Sequence, residues 1–320
     1  MTPITKRYQF IFAGLLLMLA GTIVPVQADT KYDSLVVFGD SLSDPGNAWV
    51  LTGLQSHAPF EMVPDAAYAI GGHHFSNGRT WVEQLAHEFN ATAGPAFHFS
   101  GKTNFAVGGA RARTVGVFDL DAQVTMHLGM SAGVADDDTL YIIMIGGNDV
   151  RDAMQTFAID PSGMQSGLIL QSALDSVYQN IANLTQAGAK HFLISTAPDL
   201  GLVPAVRALG PEAQYLANYL SSEFNNGLAY TLFMLNNQFD IDVTVLDLFA
   251  LLHQVVATPG EFDFDVVDTT CINLGVVARP VCSDPDDYLF WDGIHPTRAG
   301  HKQIAHHARQ LLEARSRDTY

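Results

Sequence analysis

Five short, mostly apolar runs punctuate the chain: Leu35 to Phe38, Asn104 to Val107, Leu140 to Ile145, His191 to Ser195 and Val243 to Leu248. Each is continuous, whereas a strand with one wet face alternates apolar and polar positions. Continuity of this kind predicts parallel strands covered on both faces. Between the runs lie stretches whose apolar residues recur every three or four positions, the period of a helix with one buried face. Arg79 to Phe89 sets Trp81, Val82, Leu85 and Phe89 on one side; Leu168 to Ala187 and Glu212 to Leu235 are longer and amphipathic, and Arg298 to Ala314 closes the pattern. Alternating strand and helix predicts an α/β fold, a three-layer α/β/α sandwich around a mostly parallel five-stranded sheet. Such a sheet presents its functional groups at the carboxyl ends of the strands. There is no internal repeat, low-complexity tract or Pro/Ser-rich linker, so one domain is expected.

The first 28 residues follow a different pattern. Lys6 and Arg7 precede an apolar run from Phe10 to Ala20, and Val26-Gln27-Ala28 places small residues at a cleavage spacing. This is the organisation of a secretory signal peptide, and the run is short for a bilayer span; an uncleaved N-terminal anchor is the alternative. Cleavage after Ala28 leaves residues 29–320 as the single domain, in which no segment is apolar enough to cross a membrane, and the protein is expected to be secreted or periplasmic. About 290 residues suit one large α/β domain. Losing Lys6 and Arg7 takes the formal charge from −17 to about −19. A surface this acidic excludes nucleic acid and electrostatic docking on anionic lipid. The two cysteines, Cys271 and Cys282, are predicted to form one disulfide in an oxidising compartment. Closing so short a loop stabilises by roughly 3 kcal/mol in the chain-entropy model. Residues 250–290 fit neither period and are read as a long ordered excursion pinned by that disulfide.

Candidate chemistry gathers at the ends of the predicted strands. The first breaks into Gly39-Asp40-Ser41, the second into Gly108-Gly109 and the third into Gly146-Gly147-Asn148-Asp149, while Trp291-Asp292-Gly293-Ile294-His295-Pro296 precedes the last helix. A serine hydroxyl is a poor nucleophile until a neutral imidazole takes its proton, and imidazole titrates near 6.5 when unperturbed. His295 can serve as that base for Ser41. Asp292, three positions earlier, is close enough to hold the other ring nitrogen and fix its tautomer. A tetrahedral intermediate then needs donors for its oxyanion, and the N–H groups of Ser41 and Gly109 with the Asn148 amide are candidates. Gly108 competes with Gly109 by one position. Each residue alone has an ordinary reading as a turn, a cap or a surface histidine; their ordered recurrence at successive strand ends favours chemistry.

Other motifs carry less. Gly129-Met130-Ser131-Ala132-Gly133 fits a Gly-x-Ser-x-Gly elbow, but that elbow needs a strand before the serine and a helix after it, and the flanking sequence reads otherwise. His73-His74 and His306-His307 lack the i,i+4 spacing of a helical metal site. Asp136-Asp137-Asp138 reads as a solvated turn, and Asn90 and Asn183 head weak glycosylation sequons. Two cysteines do not make a zinc site. No metal or organic cofactor is expected.

The blocks Gly39-Asp40-Ser41-Leu42-Ser43, Asn104-Phe105-Ala106-Val107-Gly108-Gly109-Ala110, Gly146-Gly147-Asn148-Asp149 and Asp292-Gly293-Ile294-His295-Pro296-Thr297 resemble those of the GDSL (SGNH-hydrolase) lipases and esterases. The resemblance spans nearly all of residues 29–320. It implies a flavodoxin-like sandwich, with Ser41 as nucleophile, His295 as base, Asp292 as its partner, and Ser41, Gly109 and Asn148 at the oxyanion. Asp44-Pro45-Gly46-Asn47 and the Asn104 block look most like the secreted bacterial phospholipase/lysophospholipase branch, which includes glycerophospholipid:cholesterol acyltransferases. Some of those relatives close a disulfide loop ahead of the Asp-x-x-His block, where Cys271 and Cys282 stand. The implied partner is a lipid ester, phospholipid or lysophospholipid, and a monomer is expected. A carbohydrate acetylesterase with the same triad, or a non-catalytic lipid- or glycan-binding protein, is the alternative. Ala58 to Ile70 and the disulfide loop are expected to supply apolar walls for an acyl chain.

Overall fold

The computed structural model describes residues 32, 34–51, 73–97, 103–272 and 281–318. The predicted signal peptide and the apolar segment Ala58 to Ile70 lie outside the described residues. Strands β1 (Ser34–Gly39), β2 (Thr139–Met144), β3 (His191–Ser195) and β4 (Asp242–Leu246) form one parallel sheet in the order β1-β2-β3-β4. Every residue of β2 is buried, as continuous apolar strands demand. The described helices are α1 (Asn47–Leu51), α2 (Trp81–Glu88), α3 (Leu120–Met130), α4 (Gly147–Phe157), α5 (Met164–Ala187), α6 (Pro204–Arg207), α7 (Pro211–Gln238), α8 (Leu248–Ala257) and α9 (Arg298–Asp318). Helices α2 and α9 pack on each other, while α4, α5 and α7 form a second group. The core joins both groups to the sheet through Phe38, Tyr141, Phe192, Trp81 and Phe224.

The sheet has four strands rather than the predicted five. Asn104 to Val107 does lie beside β1: Val37 N–H donates to the Thr103 carbonyl, Phe105 N–H to Val37 and Val107 N–H to Gly39. The ladder fails at Gly39, whose N–H donates instead to Oε1 of Gln123 at 2.8 Å while Gln123 Nε2 donates back to the Gly39 carbonyl. A side-chain amide from α3 thus occupies the group that a fifth strand would pair, and one bridge, Val37 with Asn104, remains.

Residues 250–290 contain structure that the periodicity did not signal. Helix α8 begins at Leu248 behind Asp247, whose Oδ1 accepts the Ala250 N–H at 3.0 Å. Its sequence is apolar nearly all round, so no 3.6-residue stripe stands out. Beyond it, β5 (Val266–Thr270) and β6 (Tyr288–Phe290) make a second, two-stranded parallel sheet. Cys271 and Cys282 are disulfide-bonded as predicted. Cys271 and Ile272 donate their N–H groups to the carbonyls of Phe290 and Trp291, so this segment braces the run that leads to Asp292.

The loop after β1 is equally constrained. Nδ2 of Asn47 donates to the carbonyls of Asn104 and Ala106, both at 2.8 Å, and its Oδ1 accepts the Phe97 N–H. Asn47 and its two bonds to these carbonyls are wholly buried, where a lost partner leaves polar groups desolvated and unpaired. Asn47→Ala should therefore lower the unfolding free energy by about 3 kcal/mol; a urea denaturation midpoint equal to that of the intact protein would refute this role.

Candidate active site

Strand β1 ends at Gly39, where a Cβ would stand 2.5 Å from the Met144 carbonyl oxygen, so only glycine lets the strand close on β2. The chain then turns sharply: Oδ1 of Asp40 accepts the Leu42 N–H at 3.0 Å, and Ser43 N–H donates to the Asp40 carbonyl. Ser41 rides on this turn at the carboxyl end of the sheet. The residues below it are tied down. Ser43 Oγ accepts from the Trp81 indole at 3.0 Å, and its carbonyl accepts from Nδ2 of Asn104. Asp44 is wholly buried and accepts four backbone N–H groups, from Gly46 and Asn47 on Oδ1 and from Ala48 and Gly108 on Oδ2. Burial nonetheless pushes both Asp40 and Asp44 up to about 6.

The partner groups arrive on the turn after β6. Oδ1 of Asp292 accepts the N–H groups of Ile294 and His295 at 2.8 and 2.7 Å. Its Oδ2 lies 2.7 Å from Nδ1 of His295. A carboxylate only accepts, so Nδ1 carries the proton and Nε2 is left to accept from the Ser41 hydroxyl, 2.8 Å away. Trp291 N–H closes the turn on the His295 carbonyl at 2.8 Å. Burial pushes His295 down, but the charge and hydrogen bond of Asp292, with the charge of Asp40, outweigh it and hold the imidazole above its ordinary value. Ser41, His295 and Asp292 are thus brought into one hydrogen-bonded chain, as the sequence predicts.

The oxyanion candidates separate cleanly. Gly108 spends its N–H on Asp44 at 2.8 Å. Gly109 is exposed, has φ +81°, and its N–H takes no acceptor among the described residues. The geometry therefore favours Gly109 over its neighbour. Asn148 stands in the first turn of α4, behind Gly146, whose φ of +114° and close approach to the Phe224 ring admit no side chain. One Asn148 amide proton goes to the Ala110 carbonyl at 2.9 Å, which leaves the other available. The positive end of the α4 dipole points the same way.

Ser41, Asn148 and His295 line a cavity of about 280 Å³. Its walls are apolar: Leu248, Leu251, Leu252 and Val255 of α8, with Val206 and Ile304. Of the disulfide loop, expected to supply an apolar wall, Cys271, Ile272, Val281 and Cys282 do not line it, and residues 273–280 lie outside the described residues. Cys271, Ile272 and Cys282 pack with Trp291 instead, under the Asp292 turn.

The alternative motifs resolve without chemistry. Ser131 is the C-cap of α3, with no strand before it, and its Oγ donates to the Leu128 carbonyl. His74 pairs with Glu83 at 2.8 Å, and His306 meets Gln310. Asp136, Asp137 and Asp138 are all exposed on the turn before β2. Sequence reasoning passed over Asp44 and Asn47 as positioning groups, although both sit in the stretch that it used as a branch marker. It also passed over the charged cluster Arg111, Arg113, Asp149, Asp152 and Arg151, for which spacing carries no signal.

Comparison with known proteins places this geometry. The chain is 25% identical over 340 residues to GDSL esterase/lipase 5 of Arabidopsis thaliana, covering 92% of this chain and 88% of that one. It is 25% identical over 301 residues to the thermolabile hemolysin of Vibrio parahaemolyticus, covering 89% of this chain and 64% of the hemolysin. Among solved structures, an acetylxylan esterase from Geobacillus stearothermophilus aligns with a TM-score of 0.46 and 15% identity, covering 87% of this chain and 93% of that one. The sequence model of the GDSL-like lipases and acylhydrolases matches residues 35–308, nearly the whole described fold, and the chain belongs to that family.

Proposed function

We propose that the protein is a secreted serine esterase that cleaves the acyl ester of a lipid, phospholipid or lysophospholipid, through an acyl-Ser41 intermediate. The observation that carries this reading is the chain Asp292–His295–Ser41, closed by contacts of 2.7 and 2.8 Å, at the mouth of an apolar cavity. His295 Nε2 takes the hydroxyl proton as Ser41 Oγ bonds to the ester carbonyl carbon. The carbonyl electrons move onto oxygen, where the N–H groups of Ser41 and Gly109 and the amide of Asn148 meet the charge. Collapse expels the alcohol, which takes the proton from His295. Water then attacks the acyl-enzyme with His295 again as base; an alcohol in its place would make the reaction an acyl transfer. Asp292 keeps the tautomer correct and stabilises the imidazolium throughout.

The apolar lining supports an acyl chain over the acetyl group of a glycan, since an acetyl group would leave the α8 wall unused. The relative named a hemolysin accords with action on membrane lipid. Lys6-Arg7 with the apolar run that follows, together with the Cys271–Cys282 disulfide, supports export.

Ser41→Ala should reduce kcat by roughly 10⁴-fold with the fold retained by circular dichroism, and should abolish labelling by a fluorophosphonate probe. Labelling that survives in this variant would move the nucleophile elsewhere. Acylation needs neutral imidazole, and His295 is held above 6.5. Activity should therefore fall as pH drops through a value above 6.5, the ordinary value of the side chain. A rate that stays flat well into the acid range contradicts a histidine base. Leu251→Trp, which fills the cavity from α8, should shift preference toward shorter acyl chains in a series of p-nitrophenyl esters; an unchanged series would remove the cavity from the reading.

A further inference from the structure

We propose that Arg151 is a specificity-determining residue that binds a phosphate on the alcohol side of the ester. This inference rests on the Ser41 esterase reading and narrows its substrate class. Arg151 follows Asn148 by three positions on α4, so it stands about 4.5 Å further along the helix axis on the same face. Both residues line the cavity, as do Met154 and Gln155 beyond them. Asn148, Arg151 and Gln155 thus give the α4 wall polar groups that the α8 residues Leu248, Leu251, Leu252 and Val255 lack, which separates a place for a headgroup from a place for an acyl chain.

Arg151 is also the uncommitted member of its cluster. Arg111 donates to both oxygens of Asp152, through Nε at 2.5 Å and a terminal nitrogen at 3.2 Å. Arg113 bridges Asp149 at 2.7 Å and Asp152 at 2.6 Å. The carboxylate of Asp152 is therefore already engaged when Arg151 approaches it at 3.5 Å, and Arg151 makes no hydrogen bond among the described residues. Its side chain is 37% exposed, against 14% for Arg113. Asp40, the other carboxylate lining this end, accepts the Leu42 N–H and feels the charge of Arg151 without a hydrogen bond to it among the described residues. A guanidinium with its fork of donors open, one turn from the oxyanion groups, in a chain of net charge −17, has a use only for an anion. Phosphate matches that fork in bidentate fashion. In a lysophospholipid the phosphate sits two carbons beyond the esterified one, a span comparable to the single turn between Asn148 and Arg151.

The test measures kcat/KM for 1-dodecanoylglycerol 3-phosphate and for 1-dodecanoylglycerol, both below their aggregation concentrations, with the intact protein, Arg151→Gln and Arg151→Lys. The intact protein should prefer the phosphate ester. Arg151→Gln should cut the ratio of the two values by about tenfold or more, mainly through KM, and Arg151→Lys should restore part of it by returning the charge without the fork. An unchanged ratio in Arg151→Gln, whatever the loss of total activity, overturns the phosphate role and leaves the esterase reading standing. Hydrolysis of neither compound by the intact protein overturns both.

Discussion

The carboxylate of Asp44 holds two loops of this fold in one place. Three of the N–H groups that it accepts belong to the start of α1, directly after the Ser41 turn, and the fourth belongs to Gly108, beyond the segment that flanks β1. A buried anion with four donors is costly to place and costlier to strand, so the two loops keep a single relative position. Ser41 and Gly109 are each a few residues from this anchor. Their alignment is thus inherited from a residue that touches neither, and Asn47 and Asn104 repeat the same device with amides.

The other half of the site is built by different means. His295 lies on a tight turn that Asp292 holds by accepting two backbone N–H groups and the imidazole, and that the Trp291 N–H closes on the His295 carbonyl. The turn is carried on the short β6, and the disulfide-bonded segment supports it through Cys271 and Ile272. Cys271, Ile272 and Trp291 form a small satellite cluster with Ala48, Phe75 and Val107, while Leu289 and Phe290 of β6 join the main core. Both halves are therefore rooted in the main core, and the His295 half carries the disulfide-bonded segment in addition.

What was legible from the sequence follows from what local patterns encode. The four strands of the sheet and the long helices α2, α5, α7 and α9 each bury a periodic or continuous apolar set, and that is written locally. Ser41, Asp292, His295 and Asn148 were legible because glycine and polar residues interrupt apolar runs where strands end. The fifth strand failed for a reason no local pattern contains: Gln123, from a helix, takes the hydrogen bond of Gly39. Helix α8 was hidden because apolar residues surround it, and β5 and β6 because strands so short have no periodicity to read. The position of Arg151 depends on three arginines and two aspartates meeting around one carboxylate. Only the folded chain states which of the three is left over.

Ser41 and His295 bond to each other across 254 positions of sequence. A chain made from its N-terminus exposes the serine well before the imidazole. In any product cut short before β6, the Ser41 hydroxyl lacks its hydrogen-bond partner and the cavity lacks the wall that Ile304 provides. The order of the chain thus joins the two groups only once β6 and the turn behind it have been made.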